Sequence, residues 1–99
     1  QQPLAHNKKD ITFCRRGGNF MDYDRHIAGT VIRRLRNEQG MSQELLSGLA
    51  GIARSHLSMI ETGSKQPNFE TLWRIAGALE IRPSELVAAM EQTLDSKES

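Results

Sequence analysis

Between Ser42 and Gly63 the chain carries two apolar-periodic stretches, each too short to stand as an isolated helix, hinged at Gly51. In the first, Ser42 followed by Gln43 and Glu44 is an N-cap, and Leu46 and Ala50 fall four apart. In the second, running from about Arg54 to Glu61, Leu57 and Ile60 face one way and Thr62-Gly63 stops the helix. Helices this short are marginal in water, so both must borrow their stability from a shared core. The spacing tells how. Small Ser47 lets the two helices cross closely, Gly51 permits the positive φ of a sharp turn, and Ile52, Leu57 and Ile60 anchor the second helix inward. That geometry turns the opposite face of the second helix outward and commits the chain to a bundle of helices.

The flanks continue the pattern. From Tyr23, the residues Ile27, Ala28, Val31, Ile32 and Leu35 recur at helical spacing while Arg33, Arg34 and Glu38 face away, which predicts a first helix ended by Gly40. Beyond a polar loop, Pro67-Asn68 supplies a stop and a cap, and Phe69, Leu72, Ile75, Ala76 and Leu79 mark a fourth helix. Arg82-Pro83-Ser84 repeats the device, and Leu86, Val87 and Met90 continue as a fifth. Residues 1–22 have neither helical nor strand period, contain Pro3 and Gly17-Gly18, and read as an N-terminal arm. The expected organisation is therefore an arm over 1–22, one all-α domain over 23–94, and a small charged tail over 95–99 that should fray. Aromatic residues make up only 5% of the chain, so its core has to be aliphatic, which favours packed helices over a sheet sandwich.

Net charge is only +1, but its distribution is uneven. Lys8, Lys9, Arg15 and Arg16 against Asp10 leave the first 20 residues at +3. Arg74, Arg82 and Lys97 against Glu70, Glu80, Glu85, Glu91, Asp95 and Glu98 leave residues 67–99 at −3. A basic front and an acidic rear suit a protein that presents one side to phosphates; ordinary solvated charge is the plainer alternative. A single cysteine, Cys14, forbids an internal disulfide or a cysteine-based zinc site and points to a reducing cytoplasm. The apolar runs are short and broken by charge, so no membrane span and no signal peptide are expected.

An enzyme needs convergent polar groups in a cleft, and this sequence offers none. His6, His26 and His56 are scattered, and neither a HExxH pair nor a phosphate-cradling glycine loop is present. No catalytic residue, no metal ligand and no cofactor is therefore expected.

With these residues in view, the stretches IRRLRNEQGMSQELL, GIARSHLSMIETGSKQPNFETL and WRIAGALEIRPSELV are together similar to the Cro and phage-repressor-like (XRE-type) helix-turn-helix regulators, a resemblance running from about Gly29 to Val87. It implies a five-helix, lambda-repressor-like DNA-binding domain. It also implies a transcriptional regulator, a repressor by expectation, that binds a double-stranded DNA operator with the second helix of the pair in the major groove.

Carried over residue by residue, the resemblance assigns base-reading positions to Arg54, Ser55, Ser58 and Met59. Arg54 can donate two bonds to guanine, or contact a phosphate instead. The two serines can serve a base, a phosphate or water. Met59 can press on a thymine methyl or lie on the surface. Gln43 corresponds to a phosphate-binding glutamine that braces the recognition helix. Thr62, Ser64, Lys65, Gln66 and the cap Asn68 occupy positions suited to the other backbone strand, or form a plain solvent loop. Arg36 and Glu61 match a structural salt bridge between the first helix and the end of the recognition helix, unless each is solvated alone.

Three departures from the pattern stand out. Ala53 replaces a common capping serine. Leu45 and Leu49 replace polar residues and are expected to be covered by the arm through Phe13 or Phe20, by a second protein, or by the core. Because one short helix reads few base pairs, a homodimer is expected; the acidic rear supplies an apolar stripe of Leu86, Val87, Met90 and Leu94, part of which must be core, with Met90 and Leu94 either at the dimer seam or in the core. A protein partner, such as the toxin of an antitoxin, is the alternative use of the same fold.

Overall fold

A computed structural model of the chain describes residues 23–98. Among the described residues there are five helices and no strand: α1 (Ile27–Glu38), α2 (Gln43–Ala50), α3 (Arg54–Thr62), α4 (Phe69–Ala78) and α5 (Pro83–Glu98). Helix α1 lies against α3 and α5, α2 packs on α3 and α4, and α4 on α5, so each short helix has two neighbours. The core they share is aliphatic, with Val31, Ile32, Leu46, Leu57, Ile75 and Leu86 wholly shielded from solvent. Burying each such side chain contributes roughly 1.5–3 kcal/mol, which is what two short helices lack on their own.

Local chemistry sets the helix ends. The Ser42 hydroxyl accepts from the Leu45 amide at 3.0 Å, and the Asn68 side chain accepts from the Thr71 amide at 2.8 Å. Glu85 reaches back to accept from the Arg82 amide at 2.8 Å, half of a capping box with Pro83 at the first helical position. Gly51 and Gly63 close α2 and α3 in the left-handed region, at φ +75° and +87°.

At Gly29 the backbones of α1 and α3 touch. A Cβ there would collide with the Ile60 carbonyl oxygen and lie 2.9 Å from the Glu61 Cα. No other residue type permits this approach, and it fixes how α3 sits on the bundle.

Three expectations change and one open alternative is decided. Helix α1 starts at Ile27 rather than near Tyr23, because the Asp24 side chain accepts the His26 amide at 2.9 Å and its carbonyl accepts the Ile27 amide at 2.9 Å, a turn that competes with helix. Phe69, counted with the buried face of α4, is 69% exposed and meets Trp73, itself 57% exposed, edge to face at 5.7 Å. Met90 and Leu94 are buried within the chain's own core, and a seam at those residues is ruled out. With Leu94 anchored and Arg34 donating to Thr93 at 3.2 Å, α5 continues to Glu98 through most of the segment expected to fray. The arm over 1–22, with Phe13, Cys14 and Phe20, lies outside the described residues.

Candidate nucleic-acid interface

Helix α3 enters from extended backbone at Ala53, whose methyl gives the first amides no side-chain cap. Leu57 and Ile60 point into the core. Arg54, Ser55 and Met59 are exposed and Ser58 is half-buried, so all four sequence-predicted reading positions fall on or beside the outward face.

Behind that face runs a continuous hydrogen-bonded chain. Arg36 donates through Nε to Glu61 Oε2 at 2.7 Å and through Nη2 to Glu61 Oε1 at 3.0 Å, while its Nη1 donates to the Met41 carbonyl at 2.7 Å. The Glu61 side chain is only 2% exposed and that of Arg36 12%, so water screens this pair little. The hydrogen bonds to Glu61 hold the Arg36 guanidinium above its ordinary range, against desolvation, which pulls the other way. Gln43 Nε2 donates to Glu61 Oε1 at 3.0 Å, and Gln43 Oε1 accepts from Arg54 Nη1 at 3.2 Å. Only one orientation of the Gln43 amide suits both neighbours, the NH2 toward the carboxylate and the oxygen toward the guanidinium. The structure thus brings Arg36, Glu61, Gln43 and Arg54 into one row from core to surface.

The loop after α3 is drawn back onto the helix. The Met59 carbonyl accepts from the Ser64 and Lys65 amides, at 3.0 and 3.2 Å, and from the Thr62 and Ser64 hydroxyls, at 3.1 and 3.3 Å. Thr62, Ser64 and Lys65 therefore form one exposed knuckle, with both hydroxyl protons engaged internally and the Lys65 ammonium in no ion pair among the described residues. Asn68 follows on the same loop, its Oδ1 committed to the cap of α4.

Sequence reasoning missed what supports this knuckle from the other side. Tyr23 donates its hydroxyl to Gln66 Oε1 at 2.7 Å, Gln66 Nε2 donates to the Arg25 carbonyl at 2.6 Å, and the His26 ring covers Gly63, where a Cβ would collide with it. These partners lie about forty residues apart in the chain and carry no periodic signal. Leu45 and Leu49 stay roughly half exposed, so the core does not absorb them.

Comparison with known proteins identifies the family and the fold. The helix-turn-helix family model HTH_3 matches residues 32–86. An uncharacterised HTH-type transcriptional regulator of Sinorhizobium fredii is 35% identical over 69 residues, covering 70% of this chain and 90% of that protein. The immunity repressor protein of Bacillus phage phi105 is 37% identical over 70 residues, and the match spans 71% of this chain but only 47% of the repressor. Among solved structures, the restriction-modification controller protein C.AhdI from Aeromonas hydrophila superposes with a TM-score of 0.61 at 36% identity, over 64% of this chain and 96% of that one. The chain belongs to the HTH_3 helix-turn-helix family of DNA-binding transcriptional regulators.

Proposed function

We propose that the protein is a repressor that occupies an operator duplex with α3 in the major groove, acting by occupancy and without chemistry of its own. The observation that carries this reading is the split character of α3, with Leu57 and Ile60 buried and Arg54, Ser55 and Met59 exposed beside Gln43. Arg54 reads a base, preferably guanine, because its planar fork suits O6 and N7 and Gln43 already holds it on the outward face. Ser55, Ser58 and Met59 tune neighbouring positions. Gln43, Lys65 and Asn68 contact the backbone strands on either side, Thr62 and Ser64 join them by turning their hydroxyls from the Met59 carbonyl to a phosphate, and Arg36 with Glu61 holds the reading helix in register. Repression rather than activation is supported by the phage immunity repressor among the relatives. Selection of bound duplexes from a random pool, followed by sequencing, tests the reading. A consensus whose preference at one position collapses in Arg54→Ala is the expected result, and retention with no consensus would overturn it.

The repressor acts as a homodimer, since a helix of this length reaches only a few base pairs. Its seam is the exposed apolar face of Phe69, Trp73 and Val87 beside Pro83, which the domain's own core leaves uncovered. Leu45 and Leu49 favour a second reading, an antitoxin whose toxin seats on α2. A toxin that co-purifies with the wild type and is lost with Leu49→Lys would support it.

A further inference from the structure

We propose that Arg25, which neither the helical pattern nor the family match assigns to the interface, is a second cation on the same DNA strand as Lys65, and that Tyr23 and Gln66 hold its backbone beside the loop. The inference rests on the reading of the loop after α3 as a backbone contact. Three observations carry it.

The first is attachment. The Tyr23 hydroxyl bonds to Gln66 at 2.7 Å and Gln66 bonds to the Arg25 carbonyl at 2.6 Å, so the segment before α1 is stitched to the residue that follows Lys65. The His26 ring over Gly63 adds a packing contact next to these bonds and buries the glycine that turns the loop. The loop cannot move along a duplex without carrying residues 23–26 with it.

The second is the supply of charge. The Thr62 and Ser64 hydroxyls donate to the Met59 carbonyl, which leaves the Lys65 ammonium as the one full positive charge the loop itself offers to a phosphate. A single cation is a weak hold on a strand that carries a charge at every phosphate.

The third is the state of Arg25. Its side chain is exposed and makes no ion pair among the described residues. The neighbouring Asp24 accepts the His26 amide at 2.9 Å and lies 3.5 Å from the His26 ring nitrogen. A guanidinium with no ion pair among the described residues, on a backbone tied by its carbonyl to the loop that carries Lys65, is suited to a phosphate, which it can grip with two parallel bonds.

The test is the salt dependence of binding, measured by fluorescence anisotropy on the selected duplex and on a scrambled one. Each lost phosphate contact should reduce the slope of log K against log salt by about 0.9. Arg25→Ala is expected to lower it by that amount on both duplexes, and the double variant with Lys65→Ala by about twice as much. Tyr23→Phe removes only the hydroxyl, so it should keep both cations but speed amide exchange at Ser64 and Lys65 and weaken binding about threefold. Unchanged melting temperatures check the fold. If Arg25→Ala leaves the slope unaltered while Lys65→Ala lowers it, the proposal is overturned and the loop reading stands. If neither variant alters the slope although the wild type binds, both fall.

Discussion

Arg36 closes a two-pronged hydrogen bond on Glu61, at 2.7 and 3.0 Å, with the carboxylate almost entirely out of water. Removing one partner leaves the other charge buried, and such losses cost about 3–5 kcal/mol. Arg36→Ala should therefore unfold much of a domain whose total stability is on the order of 5–15 kcal/mol, as read by urea titration. Replacing both with apolar residues, Arg36→Met with Glu61→Leu, should recover most of that stability. It should not recover DNA affinity, because Gln43 then loses the carboxylate that orients it toward Arg54. Full recovery of both would show that the pair only glues helices together.

Arg54→Ala should cost about 1–3 kcal/mol on the preferred duplex and relax preference at one base pair. Arg54→Lys keeps the charge but not the fork, so it should keep the salt slope and still lose the preference. Equal weakening on every sequence would reassign Arg54 to the backbone.

Two glycines should respond with opposite sign. Gly29→Ala drives a methyl into the Ile60 carbonyl and should destabilise by about 2–3 kcal/mol or more. Gly48 lies inside α2 with open space where a Cβ would go, so Gly48→Ala should stabilise by roughly 0.5–1 kcal/mol. Thermal unfolding of the two variants side by side checks both signs at once.

Ala53→Ser supplies the side-chain acceptor that α3 lacks and should add about 1 kcal/mol. Protection of the first amides of α3 from hydrogen exchange is the direct readout. An unchanged exchange rate would mean that the serine does not cap.

Trp73→Glu changes a residue exposed in the single domain, so stability should move by no more than about 0.5 kcal/mol. Sedimentation should then show the loss of dimer, with binding to a two-half-site duplex falling at least about tenfold and binding to one half-site retained. A wild type that sediments as a monomer at all concentrations removes this seam.

The helices and most of the core were legible because their signals are local. Leu57 with Ile60, Ser42 with Leu45, and Asn68 with Thr71 lie within one turn of each other, where spacing and capping chemistry speak directly. The outward placement of Arg54, Ser55 and Met59 followed from the inward placement of their neighbours. Phe69 misled because its spacing fits the apolar stripe of α4, yet at the first position of the helix it extends past the edge of the core. Met90 and Leu94 were undecidable in sequence, since core and seam ask for the same residues at the same spacing. The Tyr23–Gln66 and Gln66–Arg25 bonds were invisible for a different reason. Each joins residues more than forty positions apart whose types suit any polar surface.

The backbone contact at Gly29 limits which of two partners can yield on docking. With α1 and α3 in van der Waals touch along their main chains, the reading helix cannot tilt without prising open the core around Ile32 and Leu57. Adjustment on meeting an imperfect site then falls to the duplex, by bending or by a change in groove width, and its ease depends on base steps that no side chain contacts. Operators for this domain should thus be sorted partly by the flexibility of their uncontacted centres, a preference that exchanging Arg54 or Met59 would leave in place.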